Sequence, residues 1–166
     1  MLSPESLAQI DHEIAKYPAE QRQSAVMSAL RIAQVEKGWL SGDVMEFVAQ
    51  YLGMPSIAVC EVATFYNMYN TKPVGKNKLC VCTNLPCKLM GADAIAVRLK
   101  QKLGIEFGET TDDKLFTLVE GECMGACGDA PLLLVNNHRM ESFLNDGKVD
   151  ALVEELRAAE LKGGSA

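Results

Sequence analysis

The sequence predicts an α+β protein in which a helical bundle precedes a mixed four-stranded sheet with flanking helices. Apolar residues recur at helical spacing through residues 1–72, and short apolar runs typical of strands follow. A break rich in turn-forming residues, 71–75, separates the two patterns. The 166 residues are 48% apolar and 23% charged, as in an ordinary globular protein. We therefore divide the chain into a bundle, residues 1–72, and a sheet-containing domain, residues 73–166.

Each predicted helix of the first domain has a recognisable start or end signal, such as serine before the first turn or glycine after the last. The predicted helices span residues 3–17, 20–37, 41–52 and 56–69. The second domain reads as strand, helix, strand, strand, helix. Its predicted strands span residues 78–82, 115–120, 132–135 and 139–143, and its helices span residues 92–103 and 149–156. This order predicts a mixed sheet with helices packed on it.

Charge and hydropathy exclude several classes of function. The net charge is −6 and no dense Lys/Arg cluster is present, so nucleic acid is not an expected partner. No apolar run approaches the ~20 residues of a membrane-spanning helix, so direct membrane insertion is not expected. Glu5 and Asp11 stand where a signal peptide has a basic start and an apolar core, so export by that route is not expected.

Four of the six cysteines form two spaced pairs. Cys82 and Cys87 are a C-x4-C pair, and Cys123 and Cys127 are a C-x3-C pair. Each pair follows a predicted strand, and the ends of the first two strands can lie side by side in the predicted sheet. The two loops are therefore expected to converge. Four thiolates in one place require a cation, because buried negative charges repel one another.

The spacing of the pairs favours an iron–sulfur cluster over a zinc site but leaves alternatives open. Zinc loops usually use tighter C-x2-C pairs, whereas a [2Fe–2S] cluster takes four thiolates, one pair on each iron. Small residues such as Gly125 allow backbone N–H groups to approach the sulfurs. A zinc-stabilised adaptor and buried unreactive thiols remain alternatives, whereas a thiol–disulfide enzyme would need a C-x-x-C pair, which the chain lacks.

The remaining candidate residues are assigned no chemistry. Cys60 and Cys80 are predicted to be small core residues, and His12 and His138 to be solvated side chains. The sequence contains no P-loop and no G-x-G-x-x-G fingerprint, and we predict no catalytic residues. Electrons must therefore come from another subunit.

Four segments resemble the NuoE family, the E subunits of respiratory NADH:quinone oxidoreductase, also called complex I. They are Glu-Val-Ala-Thr-Phe-Tyr at 61–66, Pro-Val-Gly at 73–75, Val-Cys-Thr-Asn-Leu-Pro-Cys at 81–87 and Glu-Cys-Met-Gly-Ala-Cys-Gly-Asp-Ala-Pro at 122–131. The resemblance runs from about Ala15 to Leu156. It implies a thioredoxin-like fold for the second domain, with one [2Fe–2S] cluster held by Cys82, Cys87, Cys123 and Cys127.

The resemblance also implies the partners and the location of the chain. The family forms a heterodimer with a flavin-binding subunit that oxidises NADH, so FMN and NADH are expected on the partner and not on this chain. The cluster would exchange single electrons with that FMN. The complex is cytoplasmic and peripheral to the inner membrane. Similar subunits serve NAD-reducing hydrogenases and NAD-dependent formate dehydrogenases, and the sequence separates these assemblies poorly.

Overall fold

The computed structural model describes residues 1–163, with side-chain surroundings described as far as residue 160. Residues 164–166, the end of the predicted second domain, lie outside the described part. The chain forms two compact units, Met1–Pro73 and a second that begins at Val74.

The first unit is entirely helical within the described residues. It contains α1 (Pro4–Ile14), a 3₁₀ segment (Ala19–Ala25), α2 (Val26–Lys37), α3 (Gly42–Leu52) and α4 (Ser56–Phe65). Ser3 and Ser41 cap α1 and α3, because their hydroxyls accept hydrogen bonds from backbone N–H groups of the first turn at 3.2 and 3.3 Å. The core of the unit consists of buried apolar side chains that include Ile10, Leu30, Leu40, Val48 and Val59.

Three predicted helices of this unit have clearly different bounds in the structure. The helix predicted over residues 3–17 ends at Ile14. The helix predicted from residue 20 begins as the 3₁₀ segment, which is kinked at Gln21 (φ −116°, ψ 29°). The helix predicted to residue 69 ends at Phe65, where Tyr66 takes an extended conformation. The chain then turns so that Tyr69 is buried with its hydroxyl donating to the Met27 carbonyl at 2.8 Å. Tertiary packing therefore overrides the helical pattern here.

The second unit contains a four-stranded mixed sheet, as predicted, and its strand order is β2-β1-β3-β4. The elements are β1 (Asn77–Cys82), α5 (Leu85–Leu89), α6 (Ala92–Leu103), β2 (Phe116–Gly121), β3 (Leu133–Val135), β4 (Arg139–Glu141) and α7 (Asp146–Gly163). Strand β1 pairs in parallel with β2 and antiparallel with β3, and β3 pairs antiparallel with β4. The α+β prediction is confirmed.

The core of this unit is built on alternate residues of the strands. Leu79 and Val81 of β1 and Phe116 and Leu118 of β2 are buried together with apolar residues of α6 and α7. Arg98 of α6 forms a bidentate ion pair with Asp150 of α7, at 3.1 and 2.5 Å. The alternate residues of β1, which include Cys80 and Cys82, have their side chains on the other face of the sheet.

None of the described helices is both long enough and apolar enough to cross a membrane.

Candidate metal centre

The parallel pairing of β1 and β2 places both cysteine loops at one edge of the sheet. Cys82 ends β1 and is the register partner of Gly121, which ends β2. Cys87 follows in the first loop, and Cys123 and Cys127 follow in the second. The backbone N–H of Thr83 donates to the Gly121 carbonyl at 2.9 Å, so the two loops are joined where they leave the sheet. The convergence expected from the strand order is therefore present.

Cys82 is held by hydrogen bonds to two neighbouring segments. Its backbone N–H donates to the Leu132 carbonyl at 3.1 Å, which ties it to the approach of β3. Its thiol points toward the second loop and donates to the Glu122 carbonyl at 3.7 Å. The residue is only 3% exposed. Cys82, the first cysteine of one pair, thus contacts Glu122, which directly precedes Cys123, the first cysteine of the other pair.

Cys87 lies on α5, a single short helix where the sequence predicts a loop. Its side chain is 1% exposed and packs in a small apolar cluster with Cys82, Ala92, Ala130 and Leu132. Burial, together with a hydrogen bond with Cys82, raises the pKa of the Cys87 thiol to about 11, against a weaker opposing hydrogen bond from the Leu132 backbone. Without a cation this thiol therefore stays protonated.

The second pair has a different environment, because Cys123 and Cys127 are both exposed. The Gly125 backbone N–H donates to the Cys123 sulfur at 3.4 Å, so one amide already points at a thiol. Cys127 begins a 3₁₀ turn, Cys127–Asp129, and lies near enough to Cys87 for the electrostatic interaction between them to contribute to the raised pKa of Cys87. Two backbone hydrogen bonds, from Phe143 to Asp129 and from Leu144 to Pro131, hold the end of the loop.

The donor set suits a thiolate-bound cluster, but the ligands are not assembled round a single ion. Among the described residues, no group of three or more His, Cys, Asp or Glu side chains is arranged to hold one metal ion. A [2Fe–2S] cluster needs two thiolates on each of two irons rather than three or four ligands round one ion. One cysteine pair is buried, the other is exposed, and backbone N–H groups point at the sulfurs. Two pairs of sulfur donors are the chemistry that a [2Fe–2S] cluster requires.

The other candidate residues lie outside this edge or carry no metal chemistry. His12 and His138 are exposed, as predicted for solvated side chains. Cys60 on α4 and Cys80 on β1 are half-buried, so the prediction that they are core residues is wrong. Cys80 shares the sheet face of Cys82, and burial raises the pKa of its thiol. Strand alternation from Cys82 was the signal that could have identified its position.

Comparison with family models identifies the relatives of this site. The model described as thioredoxin-like [2Fe-2S] ferredoxin matches residues 10–157, nearly the whole described chain. The chain belongs to the thioredoxin-like [2Fe–2S] ferredoxin family. The match contains all four cysteines of the two spaced pairs, and it confirms the iron–sulfur family that the sequence resemblance indicates.

Curated relatives within this ferredoxin family are similar over most of their length. The E subunit of NADH-quinone oxidoreductase from Rickettsia bellii (strain RML369-C) is 46% identical over 145 residues, 87% of this chain and 86% of the relative. The E 2 subunit of NADH-quinone oxidoreductase from Rhizobium meliloti (strain 1021) is 45% identical over 152 residues, 92% of this chain and 89% of the relative. The chain therefore also belongs to the family of these E subunits.

A solved structure shares the fold of this ferredoxin-family chain. The crystal structure of an NAD+-reducing [NiFe]-hydrogenase in the air-oxidized state aligns with a TM-score of 0.68 at 21% identity. The alignment covers 78% of this chain but only 23% of the hydrogenase chain. At that identity the likeness extends to the fold alone.

Proposed function

We propose that this chain is the iron–sulfur electron-transfer subunit of the NADH dehydrogenase module of NADH:quinone oxidoreductase. The observation that carries the proposal is the convergence of two cysteine pairs at one sheet edge, fixed by the register of Cys82 with Gly121. Cys82 and Cys87, as one pair, and Cys123 and Cys127, as the other, would hold the irons of a [2Fe–2S] cluster. Binding of iron would favour the thiolate form that the burial of Cys87 disfavours.

The chain's own residues hold the thiolates, exclude water from one side of the site and supply amide hydrogen bonds. When bound, the cluster would supply reversible one-electron chemistry. The apolar cluster of Ala92, Ala130 and Leu132 shields the Cys82 and Cys87 sulfurs from water. The exposed loop that carries Cys123 and Cys127 is the face through which a partner comes nearest to the cluster.

The partner in this proposal is a flavin-binding subunit that oxidises NADH. The chain itself supplies no catalytic residue, and FMN and NADH are held by the partner. Three large apolar side chains, Leu85, Leu89 and Met90, are exposed on or next to the short helix that buries Cys87, and Lys88 lies among them. An apolar centre with charged neighbours is typical of a protein interface. The flavin subunit docks here, and through it the chain is peripheral to the inner membrane.

The respiratory complex is favoured over the hydrogenase and formate dehydrogenase assemblies by the relatives. The E subunits of NADH-quinone oxidoreductase are 45–46% identical to this chain and are covered over 86–89% of their length. The hydrogenase chain has 21% identity and is covered over 23% of its length. These E subunits are therefore the better guide to the assembly in which this chain works.

The ligand assignment is tested by a pair of cysteine-to-serine variants purified without oxygen. Cys82→Ser removes a buried ligand and should abolish the electron paramagnetic resonance signal of the reduced [2Fe–2S] cluster. Cys60→Ser is the matched control, because Cys60 lies on α4 in the other unit, and its signal should equal that of the wild type. An undiminished signal in Cys82→Ser would refute the assignment.

A further inference from the structure

Gly121 lies at the junction of the two cysteine loops. It ends β2, is the register partner of Cys82 and precedes Cys123 by two residues. Its carbonyl accepts the hydrogen bond from the Thr83 backbone N–H that joins the loops. The residue carries no thiol and is not a ligand, so its contribution has to come from its backbone or from its lack of a side chain.

The space beside Gly121 is filled by two sulfur-containing side chains. A Cβ built on Gly121 would lie 2.6 Å from the Cys80 Sγ and closer still to the Met124 terminal methyl group. The Val81 carbonyl oxygen would be 3.4 Å away. Real Cβ atoms almost never approach another atom within 3.0 Å, so any side chain here has to displace both neighbours. Glycine thus leaves a notch that Cys80 and Met124 occupy.

Met124 connects this notch to the metal centre. It lies between Cys123 and Cys127 in the exposed loop, yet its side chain is half-buried against the apolar cluster that contains Cys82 and Cys87. Within the described residues of that loop, Met124 and Ala126 are the apolar side chains that pack on this cluster. The Met124 side chain therefore anchors the exposed cysteine pair to the buried one.

We propose that Gly121 is a positioning residue for the iron–sulfur cluster. The notch that Gly121 leaves lets Met124 pack beside Cys80, and Met124 then holds the 123–127 loop against Cys82 and Cys87. The inference rests on the proposed function and adds a residue that determines how firmly the iron–sulfur cluster is held. Cys80 forms the less mobile wall of the notch, since its Sγ can change position only by switching between χ1 rotamers, whereas the methyl end of Met124 has several rotatable bonds.

The test compares the rate at which a chelator removes the visible absorbance of the cluster from anaerobically purified full-length variants. Gly121→Ala should lose the cluster about tenfold faster than the wild type, within the range usual for residues that support metal ligands. Gly42→Ala is the matched control, because nothing lies within 4 Å of a Cβ there and Gly42 lies on α3 of the other unit, so its rate should be unchanged. Gly121→Ala combined with Cys80→Ala exchanges one heavy atom for another, and the Met124 methyl group can shift into the space left by the Cys80 Sγ, so the slow rate should be restored.

Met124→Ala supplies a second test that introduces no clash, in case Gly121→Ala does not fold. It removes the anchor and should also accelerate cluster loss about tenfold. The inference is overturned if either single variant releases the iron–sulfur cluster as slowly as the wild type, if Gly42→Ala releases it as fast as Gly121→Ala, or if the double variant is not restored. A wild-type chain without iron and sulfide would instead overturn the proposed function itself.

Discussion

At the scale of single residues, the two cysteine pairs differ in their exposure to water. Cys87 is buried in an apolar cluster beside Cys82, whereas Cys123 projects from an exposed loop and already accepts an amide hydrogen bond. A thiolate is the reactive form of cysteine, and burial without a cation disfavours it. The metal-free chain should therefore have one unreactive and one reactive pair.

Alkylation of the metal-free chain tests this difference. The raised pKa of Cys87, about 11, keeps its thiol protonated at lower pH, so the thiolate appears only as the pH rises toward that value. At about pH 8, iodoacetamide should modify Cys123 at least tenfold faster than Cys87. Peptide mass spectrometry after timed quenching measures both rates in one sample. Equal rates at the two residues would contradict the burial of Cys87.

At this scale the sequence predicts which residues are the ligands, and that assignment stays a prediction, whereas the environment of those residues could not be predicted. The spacing of the four cysteines after two strands indicated a metal centre. The notch at Gly121 gave no sequence signal, because it depends on Cys80 of β1 and Met124 of the second loop both lying beside Gly121. Strand alternation could have placed Cys80 on the sheet face of Cys82, but its half-buried exposure is a property of the assembled sheet.

At the scale of elements, the register of β1 with β2 determines where the loops meet. The lead-in to β1 crosses the β2 backbone at Gly75, whose N–H donates to the Thr117 hydroxyl at 2.6 Å. A Cβ on Gly75 would lie 2.8 and 2.9 Å from backbone atoms of Phe116. Backbone within a paired strand cannot move aside, so this close approach admits only glycine.

Gly75→Ala should therefore lower the free energy of unfolding by about 1–3 kcal/mol, as overpacking usually does. Urea unfolding of the purified chain, followed by far-ultraviolet circular dichroism, measures the change. Gly42→Ala again serves as control, because open space surrounds its Cβ position. If Gly75→Ala is as stable as that control, the lead-in to β1 does not approach the β2 backbone as closely as described.

The four predicted strands match the observed strands to within two residues at each end, whereas several helix bounds differ and one short helix was missed. The range 92–103 predicted for α6 coincides with Ala92–Leu103, and the adjacency of the first two strands followed from element order and cysteine placement. Helix α5 was missed because its five residues are too few for a periodic signal. The prediction extended α4 to residue 69, whereas the helix ends at Phe65, so burial of Tyr69 outweighs local helical preference.

At the scale of the whole molecule, the described surface near the metal centre carries three exposed large apolar side chains, Leu85, Leu89 and Met90. Such side chains gain nothing from exposure to water, and exposed apolar groups next to one another mark protein interaction sites. In the heterodimer proposed above, the flavin subunit would cover them.

Leu89→Lys should weaken binding to the purified flavin subunit about tenfold, because a charge would have to be desolvated in the interface. Val35→Lys is the matched control: Val35 and Leu89 are both aliphatic and each 78% exposed, but Val35 lies on α2 of the other unit. Interferometry with the flavin subunit immobilised gives both affinities. Equal affinities for Leu89→Lys and the wild type would place the interface elsewhere.

The central claim is that two loops at one sheet edge together hold a [2Fe–2S] cluster. Its most direct test is iron, zinc and acid-labile sulfide analysis of the full chain purified under anaerobic conditions. The account predicts about two irons and two sulfides per chain, with zinc absent. One zinc per chain without sulfide, or a colourless protein that takes up neither iron nor sulfide on reconstitution, would contradict it.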